Sequence, residues 1–138
     1  METTNSENIV ERLQEKDIYP TPQRVEIAQI LLAKPQHLSA DQVLQAVNKG
    51  SAVVSKATVY NTLGLFADKG LVREVIVDPS KVFYDSNMSS HYHFYNVDTG
   101  RLSDVSADSL AIGEIPTTPS GTEIDGVEVI IRVRNLAH

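Results

Sequence analysis

The chain has 138 residues, 41 % of them hydrophobic and 22 % charged, an ordinary globular composition that accommodates one domain or two small ones. A net charge of −6 argues against wholesale coating of nucleic acid, while leaving room for a local basic surface on an acidic body. Zero cysteines exclude disulfides, thiol nucleophiles, iron–sulfur clusters and thiolate zinc sites, so any metal must be held by His, Asp, Glu or main-chain oxygen.

The polar start METTNSEN lacks the basic and apolar parts of a signal peptide, and no apolar run is long enough to span a bilayer. The expectation is a soluble cytoplasmic protein with no membrane partner. Glu7 to Lys16 carry Ile9, Val10 and Leu13, a short helical stripe that stops before IYPTP. Thr21 is then a good N-cap, with Pro22 where a missing N–H costs nothing. Val25, Ile27, Ala28, Leu31 and Leu32 give the next helix a wide apolar face until Pro35. After His37-Leu38, Ser39 and Gln42 have capping-box spacing. Ala40, Val43, Leu44 and Val47 repeat at helical intervals, and Gly50 closes the helix.

The segment SKATVYNTLGLFADKGL predicts a further helix capped by Ser55, with Val59, Leu63, Phe66 and Ala67 on one face turned toward a core. Its opposite face reads Lys56, Tyr60, Asn61 and Gly64, a cation, two hydrogen-bonding side chains and a gap, which suits phosphates and base edges in a major groove. Between Ser51 and Arg73 the cations Lys56, Lys69 and Arg73 outnumber the single Asp68, a local positive surplus in a negative protein. Gly70 supplies a left-handed cap, and LVREVIV, a DPS turn and KVFYD read as a hairpin. Short helices followed by a two-stranded wing make a winged helix-turn-helix whose last helix reads the DNA. A small helical scaffold with a merely wet polar face is the plainer reading of the same pattern.

After Asp85 the stretch SNMSS breaks the chain. HYHFYNV and GRLSDV flank a turn at Asp98-Thr99, and SADSLAIGEIP and TTPSGTE read as a short helix and a loop. GVEVIIRVR alternates with Val127, Val129, Ile131 and Val133 on one face. This second unit is too small and too apolar at its terminal strand to stand alone, and it is expected to pair with a copy of itself. The fold class is therefore α+β: a winged helix-turn-helix over 1–85 and a small α/β dimerisation domain over 86–138.

Side chains two apart on a strand share a face, so His91, His93 and Tyr95 point the same way. If Val97 pairs with Gly100 around the turn, His93 lies opposite Asp104 and a carboxylate meets an imidazole. Asp85 ends the wing shortly before His91, and His37 stands just before a helix. Three imidazoles and two carboxylates without sulfur suit Fe²⁺ or Mn²⁺ at a coordination number above four before a closed tetrahedral Zn²⁺, which remains a competitor in vitro. The other reading makes His91 and His93 partly exposed strand residues, Asp104 a strand-end cap and His37 a loop residue. Spacing alone does not join His37, Asp85 and Asp104 to the H-x-H.

Three stretches, YPTPQRVEIAQIL, HLSADQVLQAV and SKATVYNTLGLFADKGLV followed by the H-x-H, resemble in order and spacing the ferric uptake regulator family of bacterial metal-dependent transcription factors. The likeness is strongest to its peroxide-responsive and Irr-type iron-response branches, through YDSNMSSHYHFY and IPTTPSGTEIDGVEVIIRVR. The resemblance implies a regulatory metal site formed by His37, Asp85, His91, His93 and Asp104, one per subunit. It also implies a homodimer on a palindromic double-stranded DNA operator. Tyr60 would contact bases, with Ser55, Lys56, Thr58 and Asn61 nearby and Arg24 facing the DNA from the preceding helix. The regulator would be a repressor of iron-homeostasis or peroxide-stress genes.

Departures from the family pattern are as informative. Many relatives hold a structural zinc through a C-x-x-C where this chain has Asn96 and Thr99, so a structural zinc of four cysteines is not expected. A further metal site of some relatives meets Ser90 and Tyr92 here. The haem motifs of Irr-type relatives are incomplete, which leaves haem as an open cofactor. Iron sensors tend to carry Glu, and peroxide sensors Asp, at the place of Asp85, which points to peroxide oxidising His37 or His91 when iron is bound. A non-haem iron enzyme and a metal-independent winged-helix interaction module are the competing classes. Five protein ligands would leave an enzyme little room for substrate.

Overall fold

The computed structural model of the chain describes residues 6–49 and 54–137. The chain divides into two units, Met1–Met88 and Ser89–His138.

The first unit begins with helices α1 (Ser6–Glu15) and α2 (Pro22–Leu31). Thr21 caps α2 by accepting from the Arg24 N–H at 3.2 Å, with Pro22 at the first helical position. The helix ends at Leu31, short of Pro35, and Leu32 closes its last turn through an N–H donated to the Ala28 carbonyl. Strand β1 (His37–Ser39) and helix α3 (Ala40–Val47) follow. The predicted capping box is present: Ser39 Oγ accepts from the Gln42 N–H at 3.2 Å, and Gln42 Oε1 accepts from the Ser39 N–H at 2.8 Å. Asn48 caps the other end, and its side chain binds both main-chain groups of Val54, at 2.7 and 3.0 Å. Gly50, the expected helix stop, lies outside the described residues.

Helix α4 (Lys56–Asp68) buries Val59, Leu63 and Phe66 as its spacing predicts, and Thr62 beside them. Gly70, at φ 80°, turns the chain out of it. The Leu71 N–H returns to the Phe66 carbonyl at 2.9 Å and the Gly70 N–H to the Ala67 carbonyl at 3.1 Å, a Schellman cap. Strands β2 (Arg73–Asp78) and β3 (Lys81–Asp85) form the expected hairpin. The wing is a three-stranded sheet in the order β1-β3-β2, rather than the expected two strands, because β1 pairs antiparallel with β3. A strand of three residues is too short to show a period, so the sequence carries no signal for it. Ile9, Leu13, Ile27, Leu31, Val43 and Phe66, all without exposed surface, centre one apolar cluster shared by the four helices.

The second unit is a sheet in the order β5-β4-β6, formed by β4 (His91–Asn96), β5 (Leu102–Ser106) and β6 (Ile130–Val133). The β4–β5 register puts His93 opposite Asp104, as the turn geometry predicts. A short 3₁₀ turn, Ala107–Ser109, stands where a short helix was expected. The terminal strand is shorter than its alternating pattern. Pairing with β4 starts at the Val129 carbonyl, which accepts from the His93 N–H at 3.2 Å, and Val127 stays outside the strand and 46 % exposed. No helix among the described residues is long and apolar enough to cross a membrane.

Candidate metal centre and nucleic-acid face

Pleat alternation turns His91, His93 and Tyr95 to the buried face of β4 and leaves Phe94 exposed. Asp104 is opposite His93 on β5 and reaches both rings: its Oδ1 lies 3.5 Å from His93 Nε2 and 3.8 Å from His91 Nε2. The two imidazoles meet edge to face with centroids 4.7 Å apart. One donor atom from each of the three residues lies within 4.8 Å of the others.

The Ser89 carbonyl settles how His91 presents itself. It lies 2.7 Å from His91 Nδ1 and can only accept, so Nδ1 carries a proton, and in its neutral form the ring turns its Nε2 lone pair toward Asp104. A lone pair and a carboxylate oxygen facing one another call for a cation between them. A proton can reconcile one such pair, but three donor atoms converging from buried imidazoles and a carboxylate form the donor set of a divalent ion. The residues present therefore fit the metal implied by the sequence.

His37 and Asp85 belong to the first unit, where the β1–β3 register sets them directly opposite one another. Asp85 is buried and its Oδ1 accepts from the Asn87 N–H at 2.9 Å. The His37 ring stands edge-on to Phe83 at 6.1 Å. Sequence reasoning missed what holds this pair in register. Ser86 Oγ accepts from the Gln36 N–H at 3.1 Å and donates to the Lys34 carbonyl at 3.0 Å, while the Ser86 N–H donates to the Gln36 carbonyl at 2.8 Å. The residues next to His37 and Asp85 are thus clasped, and only the fold brings those positions together.

The candidate DNA-facing residues are all in the first unit. Ser55 and Thr58 are engaged in the N-terminus of α4: Ser55 Oγ accepts from the Thr58 N–H at 3.1 Å and donates to Thr58 Oγ1 at 2.9 Å. Lys56, Tyr60 and Asn61 are exposed along the helix, with Lys56 Nζ 5.5 Å from the centre of the Tyr60 ring. Arg24 is half-buried, its guanidinium donating to the Tyr19 carbonyl at 2.9 Å. Nearby, burial first, then the charges of Glu74 and Tyr60, hold the Tyr84 phenol above its ordinary pKa, so it stays a neutral group.

Asn96 and Thr99, which stand at the places of the C-x-x-C, are organised by hydrogen bonds. Asn96 Oδ1 accepts from the N–H groups of Asp98 at 2.8 Å and Thr99 at 3.1 Å, and Thr99 Oγ1 accepts from the Arg101 N–H at 3.2 Å. Asn96 Nδ2 donates to Asn135 Oδ1 at 2.9 Å, and Asp98 Oδ2 accepts from the Asn135 N–H at 2.8 Å. Hydrogen bonds thus tie the β4–β5 turn to the segment after β6.

This architecture has close parallels. The Ferric uptake regulator family matches residues 6–130. The chain belongs to that family. Among its relatives, this Fur-family chain is 34 % identical over 98 residues to the peroxide-responsive repressor PerR of Staphylococcus aureus, a match covering 71 % of this chain and 66 % of that one. The chain thus spans slightly under two thirds of the length of this curated relative. The ferric uptake regulator of Pseudomonas aeruginosa with manganese aligns at a TM-score of 0.66 and 24 % identity over 91 % of this chain and 96 % of the other. That of Francisella tularensis with iron aligns at 0.68 and 21 % identity over 86 % and 92 %. These two likenesses show a shared fold.

Proposed function

We propose that this Fur-family chain is a metal-dependent DNA-binding transcription regulator, a repressor rather than an enzyme. His37, Asp85, His91, His93 and Asp104 bind one regulatory Fe²⁺ or Mn²⁺ per subunit, with Zn²⁺ a competitor in vitro. Residues 1–85 bind DNA and residues 86–138 dimerise and sense metal. The observation that carries the reading is the His91 ring, whose Nδ1 is committed to the Ser89 carbonyl while its Nε2 faces Asp104 beside His93. Support for the ion comes from the manganese and iron named with the two structural relatives. When bound, the ion would supply positive charge to the imidazole and carboxylate groups of His37, Asp85, His91, His93 and Asp104, which would hold it. Its occupancy would then set how two copies of α4 are presented to successive major grooves of a palindromic operator.

Pairing as a homodimer is supported by the outer face of the second sheet. Phe94 and Val133 are exposed there and line, with Asn96, Arg101 and Ser103, a groove of about 250 Å³. Apolar side chains left uncovered on so small a sheet favour a second copy over solvent.

The division of labour is tested by two variants. Tyr60→Ala is expected to weaken specific DNA binding by about tenfold or more with Mn²⁺ affinity unchanged, as loss of a base contact does. Asp104→Ala is expected to lose Mn²⁺ first and DNA only as a consequence. Parallel calorimetry with Mn²⁺ and anisotropy with DNA would show both variants behaving alike if the assignment is wrong.

Peroxide is the signal we favour, on the carboxylate at Asp85 and the peroxide-responsive relative. Mass spectrometry of the Fe²⁺-loaded protein after stoichiometric peroxide is expected to find one added oxygen on His37 or His91. No histidine gaining oxygen, with DNA binding intact, leaves iron itself as the signal.

A further inference from the structure

We propose that Asp41 is a positioning residue for sequence reading, holding Tyr60 in one orientation toward DNA and discouraging binding to other sequences; this rests on the DNA-binding role proposed above. Tyr60 is 42 % exposed on α4, a setting in which an aromatic side chain ordinarily samples several rotamers. Here both parts of it are held. Its hydroxyl donates to Asp41 Oδ1 at 3.3 Å, and Lys56, one turn earlier on the same helix, stands over its ring. The two anchors come from different helices, so rotation of the ring requires both contacts to break.

Asp41 itself is well fixed. It lies in the first turn of α3, between the capping-box residues Ser39 and Gln42, where the positive end of the helix dipole favours a negative charge. Ala40 and Val43 on either side of that turn are buried, so the backbone carrying the carboxylate is anchored in the core. With its hydroxyl engaged, Tyr60 presents ring carbons to a base pair, a surface suited to the methyl group of thymine in the major groove. The second consequence is electrostatic. A carboxylate beside the reading helix repels phosphate, a penalty that falls on every sequence alike, while the fixed ring helps only the sequence whose methyl groups meet it. Asp41 thereby widens the ratio of specific to non-specific affinity.

The test uses the full-length protein loaded with Mn²⁺ and two duplexes, one enriched from a randomised library by the wild-type protein and one a scrambled sequence of equal length. For Asp41→Ala the ratio of affinities for the two duplexes is expected to fall about tenfold, within the range of a lost base contact, with the scrambled duplex bound no more weakly than before. Asp41→Asn keeps an acceptor oxygen and is expected to restore most of the affinity for the enriched duplex while leaving binding to the scrambled one stronger than in the wild type. In a Tyr60→Phe background, where the hydroxyl is gone, Asp41→Ala is expected to strengthen binding to both duplexes alike and to leave the ratio of their affinities unchanged. An unchanged ratio in Asp41→Ala, or an equal loss in both backgrounds, overturns the positioning role while leaving DNA recognition standing. Failure of the wild-type protein to enrich any duplex overturns the DNA-binding reading itself.

Discussion

His93→Ala is expected to abolish measurable Mn²⁺ binding. His93 is 4 % exposed at the centre of β4, paired across to Asp104 and flanked by His91 at 4.7 Å. Removing groups that merely orient metal ligands lowers affinity by about 10–100-fold, so removing a ligand itself should lower it by more than about 100-fold. Within the second unit the remaining His91 and Asp104 would lack the third donor that distinguishes a metal site from a protonated pair. The sheet should survive, because β4 is held by main-chain pairing on both edges and by the burial of Tyr95, Leu102 and Val105. Isothermal titration of the variant with Mn²⁺, with circular dichroism to confirm folding, reads the outcome directly. Wild-type heat from the variant would return His91 and His93 to the role of strand side chains.

Phe66→Ala should destabilise the first unit by about 3–5 kcal/mol, the usual cost of emptying a buried aromatic site. Phe66 has no exposed surface and lies in the apolar cluster with Leu13, Ile27, Leu31 and Val43. It also sits at the end of α4 where the Schellman cap is made, its carbonyl accepting from the Leu71 N–H. Domain stabilities are only about 5–15 kcal/mol, so a loss of this size takes a large share of what holds α4 in place. Urea denaturation followed by circular dichroism should show the midpoint falling sharply, and DNA binding should fade at temperatures where the wild type is fully folded. A loss below about 1 kcal/mol would mean that the core closes around the gap, contrary to normal packing in a cluster so fully buried.

The helices of the first unit were legible because their signals are local. Thr21, Ser39 and Ser55 each cap the helix that the sequence assigns to them, since a cap needs only a side-chain oxygen within three residues of a free N–H. The hairpin from Arg73 to Asp85 and the His93–Asp104 register were legible for a related reason: a short turn fixes the pairing of the strands on either side of it. The alternation from Val127 to Val133 misled by extent, because alternation marks a chain able to be a strand and pairing requires a neighbour. Only Ile130–Val133 has one in β4.

Two halves of the candidate site stood on unequal footing in the sequence. The H-x-H and Asp104 follow from pleat and turn, whereas His37 joined them only through resemblance to a family. Within the first unit, the fold sets His37 on a strand opposite Asp85, with Gln36 and Ser86 clasped beside them. Neither the strand at His37 nor the contact of Tyr60 with Asp41 leaves a periodic trace.

By itself, then, the sequence determined which segments coil, where they are capped, which face of β4 carries its histidines, and that no cysteine is available to staple the turn at Asp98. The tertiary structure decided the partners: β1 with β3, Asp41 with Tyr60, Asn96 and Asp98 with Asn135. Local order is written in the periodicity and hydrogen-bonding reach of a few neighbouring residues. Contacts between distant residues depend on chain closure and on the packing of whole elements, and the free energy of those steps is a property of the assembled core rather than of any segment in it.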